Sequence, residues 1–181
     1  MRKSIARNRI RALGKHYGYD ASYLEAMLDA SPAAFFKFAR LTSAANHRES
    51  APMGAAFAAK IAGARAEDCG PCTQLVVDMA LEAGMARDQI EAVLRRDFEA
   101  MSEDTALGFR FAEAIIARAR NEDEVRDAVR TAWGEKGVID LTFSLQLGRM
   151  FPMVKAGLGF AKECRRVTVG DKAVDLAPLA A

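Results

Sequence analysis

Cys69-Gly70-Pro71-Cys72 holds the most distinctive chemistry of this chain. Two cysteines at i and i+3 can close a disulfide and reopen it. In a thioredoxin the same tetrapeptide follows a β-strand and opens a helix within a βαβ frame. Here it follows Ala55-Ala56-Phe57-Ala58-Ala59-Lys60-Ile61-Ala62-Gly63-Ala64, an alanine-rich run that favours helix. A thioredoxin-type dithiol is thereby set on a helical scaffold.

A helix opening at the pair puts both sulfurs on neighbouring positions of its first turn. Helix-end N–H groups and the macrodipole then favour a thiolate over a thiol. Pro71 suits a first turn, because the donor it lacks would be unpaired there anyway. Gly70 keeps the loop free of bulk where a peroxide or another sulfur must approach. A low-pKa thiolate attacks, and its partner resolves the product as an intramolecular disulfide. Cys69 and Cys72 are therefore the candidate catalytic residues; the sequence alone does not say which attacks, and the more exposed one is expected to.

A structural zinc site needs four ligands. Beyond the pair the chain offers only Cys164, His16, His47 and carboxylates, with no second Cys-x-x-Cys or His-x-x-x-His. No metal site and no cofactor site is read, and Cys164 is taken as a buried or idle thiol. Lys60 and Arg65 are the nearest upstream cations, and a cation near sulfur lowers its pKa. Glu67 and Asp68 would act oppositely; with Gln74 and Asp78 they read as solvated surface. His47 could reach the site from the break that holds it, although a capping or exposed histidine is the ordinary outcome.

The elements that must position the pair are helical almost throughout. Asp20 can cap a short helix with Tyr23, Leu24, Met27 and Leu28 on one face. Ser31-Pro32 reads as an N-cap followed by proline at the first helical position, opening a segment with Phe35, Phe36, Phe38 and Leu41. Residues 47–52 form a polar break, and residues 53–64 the next helix, whose small side chains permit close packing. After Cys72 a helix buries Leu75, Val76 and Met79 and ends near Gly84. Ile90, Val93, Leu94 and Phe98 make an amphipathic face. Leu107, Phe111 and Ile115 continue at steps of four, as do Val125, Val129 and Trp133 after a helix start at Asn121 with Glu124. Residues 138–154 are apolar nearly all round and read as the central buried helix, with Gly148 allowing close contact and Pro152 kinking it or starting a new segment. Val167-Thr168-Val169, Gly170-Asp171 and Lys172-Ala173-Val174 alternate like a β-hairpin, which must pack on the domain or on another subunit.

The chain has 181 residues, 51% hydrophobic and 28% charged, enough for one domain with a substantial core and incompatible with wholesale disorder. Arg2, Lys3, Arg7, Arg9, Arg11 and Lys15 meet no acid before Asp20, giving a basic N-terminal arm within a net charge of +2. Such an arm can bind nucleic acid or anionic lipid, but more often it is a solvated or partner-packed helix, so nucleic acid is not an expected partner. No apolar stretch follows these charges as a signal peptide requires, and no run of about 18 apolar residues exists. The expected location is the cytoplasm, with no membrane association.

The stretch from Ala55 to Gly84, with Cys-x-x-Cys followed by a helix ending Ala80-Leu81-Glu82-Ala83-Gly84-Met85, resembles the AhpD-like, or carboxymuconolactone decarboxylase, superfamily. The resemblance continues through Asp88-Gln89-Ile90-Glu91-Ala92-Val93, Leu107-Gly108-Phe109-Arg110-Phe111-Ala112 and residues 138–159, and covers roughly residues 50–160. It implies an all-α AhpD-like helical bundle, to which the alternation at residues 167–174 adds a small C-terminal β-hairpin. The expected organisation is a single domain over 1–181: an N-terminal helical segment 1–50, a core 51–165 that the resemblance makes AhpD-like, and a hairpin or tail 166–181. It implies a homo-oligomer, trimer or hexamer, and a redox couple of Cys69 and Cys72 reducing peroxides or passing electrons. The family's proton relay is absent. Its His four residues after the second cysteine is Val76 here, its Glu about twelve residues before the first cysteine is Phe57, and a His before the second cysteine is Pro71. Losing both relay members together leaves neither without its partner in the interior.

The expected function is thus a thiol–disulfide redox protein of the alkylhydroperoxidase type, acting on a small-molecule peroxide or a protein disulfide. The alternative is a non-catalytic oligomeric helical protein with a degenerate site, for which Val76 and Phe57 speak.

Overall fold

The computed structural model describes residues 2–161 and 166–179; Cys164 lies outside them. The elements are α1 (Arg2–Tyr17), α2 (Ser22–Ala30), α3 (Pro32–Ala39), α4 (Leu41–Ala45), α5 (Met53–Ala66), α6 (Gly70–Glu82), α7 (Arg87–Arg95), α8 (Glu103–Ala117), α9 (Glu122–Gly157), β1 (Arg166–Val169) and β2 (Lys172–Asp175). The fold is all-α with a small C-terminal hairpin, as expected. Among the described residues no helix is long and apolar enough to cross a membrane.

Local signals set most boundaries. Ser31 accepts a hydrogen bond from the Ala34 N–H at 3.2 Å, with Pro32 next to it opening α3. Asp20 accepts from the Ser22 N–H at 3.0 Å and so braces the start of α2, although Ala21 occupies the capping position itself. Gly84 takes φ +91° just after α6. Asn121 flanks α9 without a side-chain capping bond. The long final helix breaks at Gly134, where φ is +70°, rather than at Pro152, through which the dihedrals stay helical.

The central helix is α5, which corrects the expectation for residues 138–154. Its alanines are buried on nearly every side because their small side chains let neighbours close in all around. It packs most extensively against α8 and α9. At the α5–α9 crossing a Cβ on Gly63 would collide with the Leu145 carbonyl, and one on Gly148 with the Lys60 carbonyl. Backbone-to-backbone approach of this kind requires glycine on both helices. The outer side of α9 stays open: Ile139, Phe143 and Met153 are 46%, 40% and 54% exposed.

The hairpin pairs antiparallel, with Val167 opposite Val174, and buries Val167, Val169 and Val174. Gln74 on α6 fastens it by accepting from the Thr168 N–H at 2.7 Å and donating to the Thr168 carbonyl at 3.0 Å. It therefore packs on this same chain, against α6 and α7.

Two apolar clusters result. The larger joins α5 to α9 and the hairpin. The smaller joins Ala6 and Ile10 of α1, Tyr23 and Leu28 of α2 and Phe35 of α3 to Tyr19 and both cysteines. The N-terminal helices thus form a wall over the dithiol. Ion pairs hold that wall together, Arg7 with Asp29 at 2.5 Å and Arg11 with Glu25 at 2.9 Å. His16 meets Glu82 of α6 at 3.1 Å. Much of the basic arm is therefore a partner-packed helix.

Candidate functional site

Residues 67–72 turn the chain from α5 into α6. Asp68 takes the left-handed conformation, φ +47°, which a short polar side chain tolerates. Cys69 is the N-cap residue of α6 and Pro71 lies in its first turn. The start of α6 is fixed by two bonds to the Cys69 carbonyl, from the Thr73 N–H at 2.9 Å and the Thr73 hydroxyl at 3.1 Å. The two sulfurs then stand 2.6 Å apart as free thiols, within reach of each other's chemistry.

Both are shielded. Cys69 is 3% and Cys72 4% exposed, so exposure does not single out the nucleophile. Electrostatics does separate them. Hydrogen bonding from Cys72 pulls Cys69 down to about 6 against the opposing cost of burial, helped by the Cys72 backbone N–H and the Lys155 charge, while Asp68 pushes the other way. Cys72 is pushed far up, by the same bond to Cys69 and by burial. Of the coupled pair, Cys69 is therefore the sulfur on which a thiolate is favoured.

Three residues that the sequence did not single out for the site surround the pair. The Tyr19 hydroxyl lies 3.6 Å from the Cys72 sulfur. Tyr19 and Tyr23 meet edge to face with centroids 6.4 Å apart, and burial raises both phenols, Tyr23 to about 12. Lys155 of α9 is 1% exposed, its ammonium 4.7 Å from the Tyr19 ring centre and 5.8 Å from that of Tyr23. Its Nζ donates to the Asp20 carbonyl at 3.4 Å. A buried cation over two aromatic faces is attracted by their quadrupoles and retains its field because little water screens it.

Lys155 corrects the expected source of positive charge. Arg65 is turned away, donating to the Val93 carbonyl at 3.1 Å and to the Ala177 carbonyl. Lys60 donates to the Ala45 carbonyl at 2.7 Å and stands 5.2 Å over the Phe57 ring. His47 lies elsewhere, 3.6 Å from Asp140. Glu67 pairs with Arg149 at 2.6 Å, and Gln74 bonds Asp78 at 2.8 Å, so Glu67, Gln74 and Asp78 are structural rather than merely solvated; Asp68 is exposed.

A cavity of about 700 Å³ opens beside the pair and is lined by Cys72, Tyr19, Tyr23, Val76 and Lys60, among aromatic and aliphatic side chains from α1, α3, α6 and α9. Cys69 is not part of its wall. The sulfur that favours a thiolate thus differs from the one that meets the cavity. Among the described residues no group of three or more His, Cys, Asp and Glu side chains could hold a metal ion.

Comparison with protein-family models, curated proteins and solved structures returns no match to this chain.

Proposed function

We propose that this chain is a thiol–disulfide redox protein of the alkylhydroperoxidase type, using Cys69 and Cys72 to reduce a hydroperoxide or a disulfide. The observation that carries the reading is the facing pair of sulfurs at the start of α6, with a thiolate favoured on Cys69 and a cavity reaching Cys72. The pair supplies its own proton acceptor, which answers the absence of relay residues at Val76 and Phe57. As the Cys72 sulfur attacks the outer oxygen of a hydroperoxide, its proton passes to the Cys69 thiolate. The O–O bond breaks, leaving a sulfenic acid on Cys72 and an alkoxide that takes a proton from solvent. The Cys69 thiol then displaces hydroxide from that sulfur, water leaves and the disulfide forms. An external dithiol restores both thiols.

A second copy of this chain fits the open side of α9. Ile139, Phe143 and Met153 recur at helical spacing and stay exposed in the single chain, as an oligomer contact would require. We place the protein in the cytoplasm, where a reversible dithiol has its reductants.

The test is dithiothreitol-dependent consumption of cumene hydroperoxide by the wild type, beside Cys69→Ser, Cys72→Ser and Cys164→Ser. Turnover lost in the first two and kept in the third supports the reading. No turnover above the Cys72→Ser background removes the peroxidase activity; a dithiol that also fails to exchange with a protein disulfide leaves the non-catalytic alternative.

A further inference from the structure

The basic residues of α1 are sorted by face. Lys3, Arg7 and Arg11 pair with Asp29 and Glu25 of α2. Arg2 and Arg9, on the neighbouring face, line the cavity instead, and neither forms an ion pair among the described residues. Lys60 reaches the same cavity from α5. Its ammonium is met by the Ala45 carbonyl and the Phe57 ring and by no carboxylate among the described residues, which leaves two of its three N–H donors. Three cations and no acidic residue therefore line a space whose other walls are mainly apolar. A partly buried charge without a counter-ion is costly, and an anion from outside would relieve that cost. The volume is that of a site for a ligand of drug or lipid size. Ile5, 49% exposed, adds apolar surface beside the two arginines.

We propose that the cavity binds a free long-chain fatty acid, its alkyl chain among the phenylalanine, leucine and methionine side chains and its carboxylate on Lys60. The arginines of α1 draw the anion in. A singly charged carboxylate matches the one partly buried ammonium, whereas a phosphate monoester would call for a bidentate arginine at the same depth, and Arg2 and Arg9 are both exposed. Resting on the redox reading above, the oxidant of the dithiol would be the hydroperoxide of such an acid, since Cys72 forms part of the same wall.

Binding is read without turnover by displacing cis-parinaric acid from the reduced protein and from Cys69→Ser. Palmitate is expected to displace the probe at micromolar concentration, and palmitate methyl ester to need at least tenfold more. Lys60→Gln should weaken palmitate about tenfold while Lys60→Arg retains most of the affinity. With Cys69→Ser as background, palmitate but not its methyl ester should slow iodoacetamide labelling of Cys72. Failure of palmitate to displace the probe, an ester that competes equally, or lysophosphatidylcholine binding more tightly than palmitate would each overturn the proposal. Cumene hydroperoxide turnover separates the two readings: intact turnover without palmitate binding rejects the fatty acid alone, and palmitate binding without turnover rejects the peroxidase alone.

Discussion

The Lys155 ammonium stands 4.7 Å from the centre of the Tyr19 ring, and the Tyr19 hydroxyl reaches on to the Cys72 sulfur at 3.6 Å. A cation of α9, a phenol of the α1–α2 link and a thiol of α6 are thus buried in successive contact. Charge at one end favours the thiolate at the other, because both ends are buried away from bulk solvent.

Lys155→Met should raise the titration midpoint of Cys69 above about 6, since a cation favours the thiolate and its loss favours the thiol. Iodoacetamide labelling of Cys69, followed from pH 5 to 9, checks this. At pH 6.5 the rate should fall by up to about 3-fold, as a midpoint shift of up to about one unit requires. Lys155→Arg should keep the original profile. An unchanged profile in Lys155→Met would mean that the field of this ammonium does not reach the sulfur.

Tyr19→Phe removes one hydroxyl from a buried site and should cost about 1 kcal/mol of stability. Its specific effect falls on Cys72, whose thiolate is favoured by the hydroxyl. With Cys69→Ser as background, adding Tyr19→Phe should move the midpoint of Cys72 higher than it lies with Tyr19 intact. Equal midpoints by thiolate absorbance would show that Tyr19 packs against the sulfur without bonding to it.

What is legible in the sequence, and what is not, follows the distance over which each signal acts. Ser31-Pro32, Gly84, the hairpin around Gly170-Asp171 and the helix opening at the cysteines are local, and each stands where its residues imply. The neighbours of the dithiol are tertiary. Lys155 lies far along the chain in a segment next to the apparent core, and nothing around it marks it as a charge destined for the cysteines. Tyr23 reads as an ordinary apolar-face residue of a short helix, and Tyr19 carries no signal of its own. Hydrophobicity alone ranks residues 138–154 above α5 as the central helix. Burial goes instead to the alanines and Gly63, whose small size lets α8 and α9 approach together.

That close crossing predicts a contrast between two glycines of one helix. Gly148→Ala drives a methyl group into the Lys60 carbonyl and should destabilise by about 1–3 kcal/mol in urea unfolding. Gly157→Ala meets nothing within 4 Å and should be neutral or gain up to about 1 kcal/mol from helix propensity. Similar midpoints for the two variants would show that α5 and α9 part easily.

Asp140 provides a test of the break before α5, independent of the cysteines. Its carboxylate is fully buried on α9 and accepts from the backbone N–H groups of Glu49 at 3.0 Å, Ser50 at 2.7 Å and Ala51 at 2.9 Å. Burial alone would raise its pKa, yet these three donors, aided by His47, hold it below the ordinary aspartate value. A carboxylate depressed in the folded state stabilises it above the unfolded pKa of about 3.9, and that contribution fades as the pH falls through the folded value. Asp140→Ala leaves three N–H groups unsatisfied and should cost about 3 kcal/mol at pH 7. The gap to wild type should hold down to about pH 4 and narrow in stronger acid, where the wild-type carboxylate is protonated too. Urea unfolding at pH 7, 4 and 2.5 measures that gap. A variant within about 0.5 kcal/mol of wild type at pH 7 would mean that residues 49–51 find other partners and that Asp140 does not anchor the approach to α5.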